Sequence, residues 1–231
     1  MQGADLSVLP MSPKRALLAE IVRNNTAQGL NNAIQLPGYL RSEVTLGSTN
    51  SIDFAIGVNE QANGQPIVPT ENRLRINDAF FVTHFSLMFY TFTTADGVGG
   101  RARARLRTFD NSTIFGLNAP SVRAAYNGKL SLRVDDTVFI DSLDANRFYT
   151  VGLAQEGVGG AVADQYINPE MFALETDPLV RLGGPQSNRL TLTLPDNVNF
   201  GLVVGQTVVA VAYLRGWLSQ NGGAMRTAVT R

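Results

Sequence analysis

His84 is the single histidine of this sequence, and there is no cysteine. Those two facts remove most metal and nucleophile chemistry at once. Zinc–thiolate sites, iron–sulfur clusters, disulfides and cysteine nucleophiles all need a residue that the chain lacks. One histidine cannot build the commonest transition-metal sites. It could serve a Ser-His-Asp array with Ser86 or Ser112, but no Gly-x-Ser-x-Gly elbow accompanies either serine. His84 lies inside the most apolar stretch of the chain, which predicts a structural position. No catalytic residue, metal site or cofactor is expected.

Asp135, Asp136, Asp141 and Asp144 could offer oxygen ligands to Ca²⁺. Their spacing lacks the glycine and the bidentate glutamate of an EF-hand loop. Two of them also fit turn positions, where an aspartate bonds its own backbone, and that reading is preferred. Gly97-Val-Gly99-Gly100 and Gly157-Val-Gly159-Gly160 resemble phosphate loops only in glycine content, because no helical pattern follows either. They read as turns.

The least ordinary feature is Arg101-Ala-Arg103-Ala-Arg105-Leu-Arg107. In a strand, alternate side chains share a face, so four guanidinium groups would form a row about 20 Å long. Such a row repels itself unless something neutralises it. Carboxylates on a neighbouring strand, an acidic patch on another subunit and nucleic-acid phosphate are the three candidates. Arg outnumbers Lys 17 to 2, and arginine is the cation favoured at interfaces. Arg101, Arg103, Arg105 and Arg107 are therefore candidate subunit-interface residues.

The elements that would position these residues read mostly as strands. Ile52, Phe54, Ile56 and Val58 alternate with small or polar residues, as do Leu130, Leu132 and Val134, and then Leu190, Leu192 and Leu194. Ala79 to Phe92 predicts a long central strand, with Arg101 to Phe109 returning as its hairpin partner. Arg147 to Leu153 and Phe200 to Leu218 supply further strands. Residues 59–72 and 154–188 read as long loops, the second with a short helix near Pro169. The result is eight to ten strands and little helix: an all-β, antiparallel β-sandwich or jelly roll.

The first 50 residues differ. Ser12-Pro13 starts a short amphipathic helix that places Leu17, Leu18, Ile21 and Val22 on one face. With no helical partner nearby, that face must dock on its own domain or on another subunit, so these four are also interface candidates. The expected organisation is an N-terminal arm over 1–50, a sandwich body over 51–218 and a polar tail over 219–231.

The chain has 231 residues, 16% charged and 44% hydrophobic, with zero formal net charge. Zero net charge removes the usual argument for non-specific nucleic-acid or membrane-surface binding. A charged fraction below the roughly 25% of ordinary domains suits a surface covered by neighbours. No basic-then-apolar leader opens the chain, and no apolar run approaches the roughly 20 residues of a membrane span. The expectation is a soluble protein made in the cytoplasm.

Taken together, the arm, the β-sandwich, the long loops and the low charge resemble a virion shell protein. The stretches that carry the likeness are Leu74-Arg-Ile-Asn-Asp-Ala-Phe-Phe-Val, Tyr126-Asn-Gly-Lys-Leu-Ser-Leu-Arg-Val and Leu214-Arg-Gly-Trp-Leu. They resemble capsid subunits of small icosahedral or tailless bacteriophages. The resemblance implies a self-assembling structural subunit located in the virion. Its partners would be copies of itself and other virion proteins, with contact to the packaged genome as a further expectation. Residues 1–50 carry Lys14, Arg15, Arg23 and Arg41 against Asp5, Glu20 and Glu43, which is too few cations for a genome-binding arm. A single roll with long loops fits this length more easily than a compact double roll. A minor vertex or decoration protein would read the same way. The alternatives are a carbohydrate-binding or adhesin module using Tyr39, Tyr126, Tyr149, Tyr166 or Trp217, and a hydrolase using Glu156, Asp164 and Glu170.

Overall fold

A computed structural model of the chain describes residues 34–56, 74, 77–93, 95, 104–151, 173–184 and 186–220. Eight strands account for most of them: β1 (Ile34–Thr45), β2 (Ser48–Ala55), β3 (Ala79–Thr93), β4 (Lys129–Val134), β5 (Thr137–Asp144), β6 (Leu174–Gly183), β7 (Asn188–Asn199) and β8 (Gln206–Gln220). They form two four-stranded antiparallel sheets, ordered β1-β8-β3-β6 and β2-β7-β4-β5. The pairing is nested: first strand with last, second with seventh, third with sixth, fourth with fifth. The expected all-β antiparallel sandwich is what the chain forms.

The core lies between the sheets because each strand presents one apolar face. Leu40, Phe80, Val82, Phe85, Leu87, Phe89, Ala210, Ala212 and Leu214 line one side; Ile52, Phe54, Leu130, Leu132, Val134, Leu190, Leu192 and Leu194 line the other, in a single continuous cluster. A fully buried Phe or Leu contributes on the order of 1.5–3 kcal/mol, and several are almost wholly buried here. The Arg41–Glu43 ion pair, whose carboxylate also accepts from the Tyr90 hydroxyl, lies on the opposite, outer face, so apolar burial decides which faces turn inward.

β3 lacks alternation because both of its faces are covered. Beyond the core residues, Tyr90 with Val209 and Val211 forms a second buried cluster on the outer face, packed by Phe92, Ala104 and Leu106. β3 also changes phase. Phe80 and Val82 point inward, one extra residue intervenes at Thr83, and Phe85, Leu87 and Phe89 then point inward. The Thr83 hydroxyl donates to the Arg215 carbonyl at 3.1 Å and Thr176 donates to the Val82 carbonyl at 2.7 Å, replacing ladder bonds that the bulge interrupts. Gly216 faces this bulge, where a Cβ would overlap the Phe81 carbonyl.

Several boundaries differ from expectation. Residues 34–50, expected within the arm, contain β1 and the start of β2. As an edge strand, β1 turns only Leu40 and Val44 well into the core, so its sequence looks polar. The tail expected from 219 begins later: Ser219 is fully buried, pairs with Ala79 and accepts a 2.7 Å bond from Gln35 Nε2. Of Arg101 to Phe109, expected as the hairpin partner of β3, the described residues 104–109 make one antiparallel bridge, Arg107 to Phe89, while β8 and β6 pair with β3 as strands. Residues 174–183, expected in a loop, are β6. Of Arg147 to Leu153, expected as a strand, the described residues 147–151 are not one. Asp144 accepts from the Asn146 amide at 2.9 Å and turns Ala145–Phe148 into a 3₁₀ turn.

Two short helices stand where none was expected. Asn111 caps α1 (Ser112–Phe115) by accepting from the Thr113 amide at 3.0 Å, and Gly116, at φ 56°, ends it. Pro120 sits in the first turn of α2 (Ala119–Tyr126), which buries Val122, Ala125 and Tyr126 at helical spacing. The predicted arm helix and the loops over 59–72 and 154–172 lie outside the described residues.

Gly216→Ala is expected to lower stability by about 3 kcal/mol or more, because the added carbon meets backbone that cannot yield. Urea unfolding would show it as a lower midpoint with an unchanged slope.

Candidate interaction surface

One end of the sandwich gathers the β1–β2 turn, the α1–α2 segment and the loop between β7 and β8. The loop sequence is Phe200-Gly-Leu-Val-Val-Gly205, and polar bonds hold it against α1 and α2. Asn118, fully buried, accepts from the Leu202 amide at 2.9 Å through Oδ1 and donates through Nδ2 to Gln206 Oε1 at 3.0 Å. Gln206 Nε2 donates in turn to the Ile114 carbonyl at 2.9 Å. The Phe200 amide reaches the Gly47 carbonyl and the Ser121 hydroxyl reaches the Asn199 carbonyl. Phe115 and Phe200 are buried beneath. Above them the loop holds Leu202 45% exposed and Val204 fully exposed, beside Leu117 at 69%. Residues 111–119 and 199–206 contain no charged side chain.

Beside this tip lies the densest group of titratable side chains among the described residues. The Tyr149 hydroxyl donates to Asp110 Oδ1 at 2.5 Å, and the Arg123 guanidinium stacks over the Tyr149 ring at 3.9 Å from its centre. Arg123 also approaches Asp110 at 4.0 Å. Burial first, and then the Asp110 carboxylate, raise the Tyr149 hydroxyl above its ordinary range. Tyr126, edge-on to Tyr149, is pushed up further by complete burial. A phenol held protonated beside a carboxylate is a poor nucleophile, and the group clamps α2 to the Asp110 segment.

The sequence-predicted residues are dispersed. His84 lies on the outer face of β3 with Nδ1 3.0 Å from Thr83 Oγ1. Ser86 is buried with no hydrogen bond at its hydroxyl, and Ser112 begins α1 at the far end, so these do not form a nucleophile array. The four aspartates separate. Asp135, at φ 50°, accepts from the Ser187 amide and Gln186 Nε2, while Asp144 caps the 3₁₀ turn. Among the described residues no three acidic or histidine side chains converge on a metal position.

Of the arginine row, Arg101 and Arg103 lie outside the described residues. The expected row along one strand face does not hold for the remainder. Arg105 is exposed, whereas the bridge to Phe89 draws Arg107 inward until it is 2% exposed. Burial, and secondarily Arg105, depress the Arg107 guanidinium below its ordinary range. Leu17, Leu18, Ile21 and Val22 are likewise outside, as are Glu156, Asp164, Glu170 and Tyr166.

Two further features complete the surface. Tyr39 and Tyr213 stack at 5.2 Å on the outer face of the β1–β8 pair, and Trp217 packs with Ala79 and Phe81 on that face. β5 is an outer strand exposing Val138 and Phe139, with register shifts and Asp141 along it, features that discourage edge-to-edge pairing. Among the described residues no helix is long and apolar enough to cross a membrane. The apolar tip was missed from sequence because Gly-Leu-Val-Val-Gly reads as the lead into a strand; the two bounding glycines were its only signal.

Asn118→Ala should free the loop. Losing the bonds to Leu202 and Gln206 is expected to cost about 2 kcal/mol, and hydrogen exchange would show faster exchange at the Leu202 amide. Tyr149→Phe should cost about 1 kcal/mol at neutral pH. The folded hydroxyl titrates above the unfolded one, so its contribution is complete below about pH 10 and disappears as pH rises through the folded value. Denaturation of wild type and variant across pH 8–11 would show the gap closing at the alkaline end. No family model, no curated protein and no solved structure matches this chain.

Proposed function

We propose that this chain is a structural subunit that assembles with copies of itself into a virion shell. The observation that carries the reading is the nested strand order, β1-β8-β3-β6 facing β2-β7-β4-β5. This is the order obtained when one long antiparallel ribbon rolls up, and we read it as a jelly roll, an architecture that serves capsid and lectin domains. Low charge, zero net charge and an apolar tip kept rigid by buried amides favour a tile over a ligand-binding enzyme.

In this mechanism the sandwich is the rigid tile, its end loops and sheet edges meet neighbouring copies, and residues 1–33 act as the arm. Docking of the arm on a neighbour would couple subunit contact to assembly. Other virion proteins would share these surfaces, and contact with the genome would fall to exposed arginines such as Arg105 rather than to the buried Arg107. A second reading rests on the Tyr39–Tyr213 stack, which could seat a sugar ring on the outer sheet face.

Light scattering over a concentration and salt series, followed by electron microscopy, tests the proposal. Rings or shell-sized particles are expected. A species of one chain mass, 24.9 kDa, under all conditions overturns assembly, and glycan-array binding by that monomer would establish the second reading. Removing residues 1–33 should leave the body folded and abolish assembly. A truncated chain that still assembles normally would sink the role of the arm.

A further inference from the structure

We infer that the outer face of the β2-β7-β4-β5 sheet binds one tetrahedral oxyanion, a phosphate or sulfate group, between Arg133 and Arg189. The inference is independent of the assembly reading.

The core places both side chains. Leu132 pairs with Leu190 and Leu130 with Leu192, and all four are buried between the sheets. Alternation then turns Arg133 of β4 and Arg189 of β7 outward, and because they are register partners they stand directly opposite each other. Both are exposed. Opposed residues of antiparallel strands hold their Cβ atoms roughly 4.5–5.5 Å apart, so the two long side chains leave the sheet side by side.

Like charges so placed repel, and the protein does not offset them. Arg41 pairs with Glu43 and Arg123 approaches Asp110, but neither Arg133 nor Arg189 has an ion pair or a side-chain hydrogen bond among the described residues. The nearby carboxylates are committed elsewhere. Asp53 accepts from the Thr191 hydroxyl at 2.6 Å, and Asp135 accepts from the Ser187 amide and Gln186 Nε2. Nor does the fold require cations here. The next outward pair on the same two strands is Ser131 with Thr191, so small hydroxyl residues fill such positions equally well.

A tetrahedral dianion removes the repulsion. The planar fork of arginine matches phosphate or sulfate oxygens bidentately, and two forks from adjacent strands can close on one group. Charge also limits the size of the ligand. Asp53 pairs with Thr191 in the next row, and Asp144 stands opposite Lys129 in the row beyond. A nucleic-acid strand calls for a track of cations along successive phosphates. Here carboxylates interrupt the track after one arginine pair, which selects a single oxyanion over a polymer.

Calorimetric titration of the full chain with inorganic phosphate, and separately with sulfate, tests this at constant ionic strength in a chloride buffer. Wild type should bind one equivalent, and R133Q and R189Q should each weaken binding about tenfold or more. R189K should also bind more weakly than wild type, because an ammonium presents no fork. Arg147→Gln, on the 3₁₀ turn at the other end of β4, should titrate as wild type does. Without anion, R133Q and R189Q should unfold at the wild-type temperature or above, since each removes a repulsion, whereas losing a structural arginine would lower it. No binding by wild type, or equal binding by both variants, overturns the site. A single-stranded oligonucleotide bound more tightly than phosphate, and lost in both variants, overturns it by giving the face to nucleic acid. Co-sedimentation with phosphatidic acid vesicles, lost in R189Q and displaced by phosphate, upholds the site with a lipid headgroup as the source. Phosphate binding without co-sedimentation upholds it for a soluble anion.

Discussion

The pairing of β3 with β8 is the constraint on which the rest of this structure depends. The two strands run side by side from Ala79 opposite Ser219 to Thr93 opposite Gln206, at the centre of their sheet. β1 and β6 attach to their outer sides, and the core-facing row of Phe80, Phe85, Leu87 and Phe89 is the surface on which the second sheet packs. A one-residue slip in this pairing would exchange the two faces of β3. The bulge at Thr83 makes such a change once, deliberately, and the Thr83 and Thr176 hydroxyls with the bare Gly216 make it tolerable.

Buried amides finish the two ends of the sandwich. At one end Asn118 holds the Leu202 amide and Gln206. At the other, Asn188 Nδ2 lies within hydrogen-bond reach of the Ile56, Gly183 and Gln186 carbonyls. Loops that leave a sheet carry backbone groups with no ladder partner, and a buried asparagine, with donors and an acceptor on one side chain, satisfies several at once. The consequence is that the loops at both ends of the sandwich are braced by buried amides, and a braced loop loses little conformational entropy in any docking event.

Most of the sheet framework could be read from alternation. Ile52, Phe54 and Ile56, Leu130, Leu132 and Val134, and Leu190, Leu192 and Leu194 are all buried as their spacing predicts, and Asp135-Asp136 does turn the chain between β4 and β5. β1 was hidden because an edge strand at the end of a sandwich needs few apolar residues. α1 and α2 were hidden because each is too short for a periodic signal, their caps and Pro120 being the only local marks. The arginine row is a different case: its strict alternation looks like a strand, and its described part forms one antiparallel bridge at Phe89, beyond the Ala79–Phe85 stretch that β6 pairs with.

By itself the sequence determined the chemistry that is absent from its composition and the faces that its strands bury. Lacking cysteine and holding one histidine, it cannot offer thiolate or multi-histidine sites, and two-residue periodicity commits apolar side chains to one side of a strand regardless of neighbours. Only the tertiary structure decided which strands pair, that Arg107 turns inward while Arg105 does not, and that the Leu117 segment is tied to the loop carrying Leu202 at one end. Those outcomes depend on contacts between residues far apart in the chain, such as Asn118 with Leu202 and Phe89 with Arg107. Local propensity carries no information about such contacts until the sheets close and fix who is adjacent.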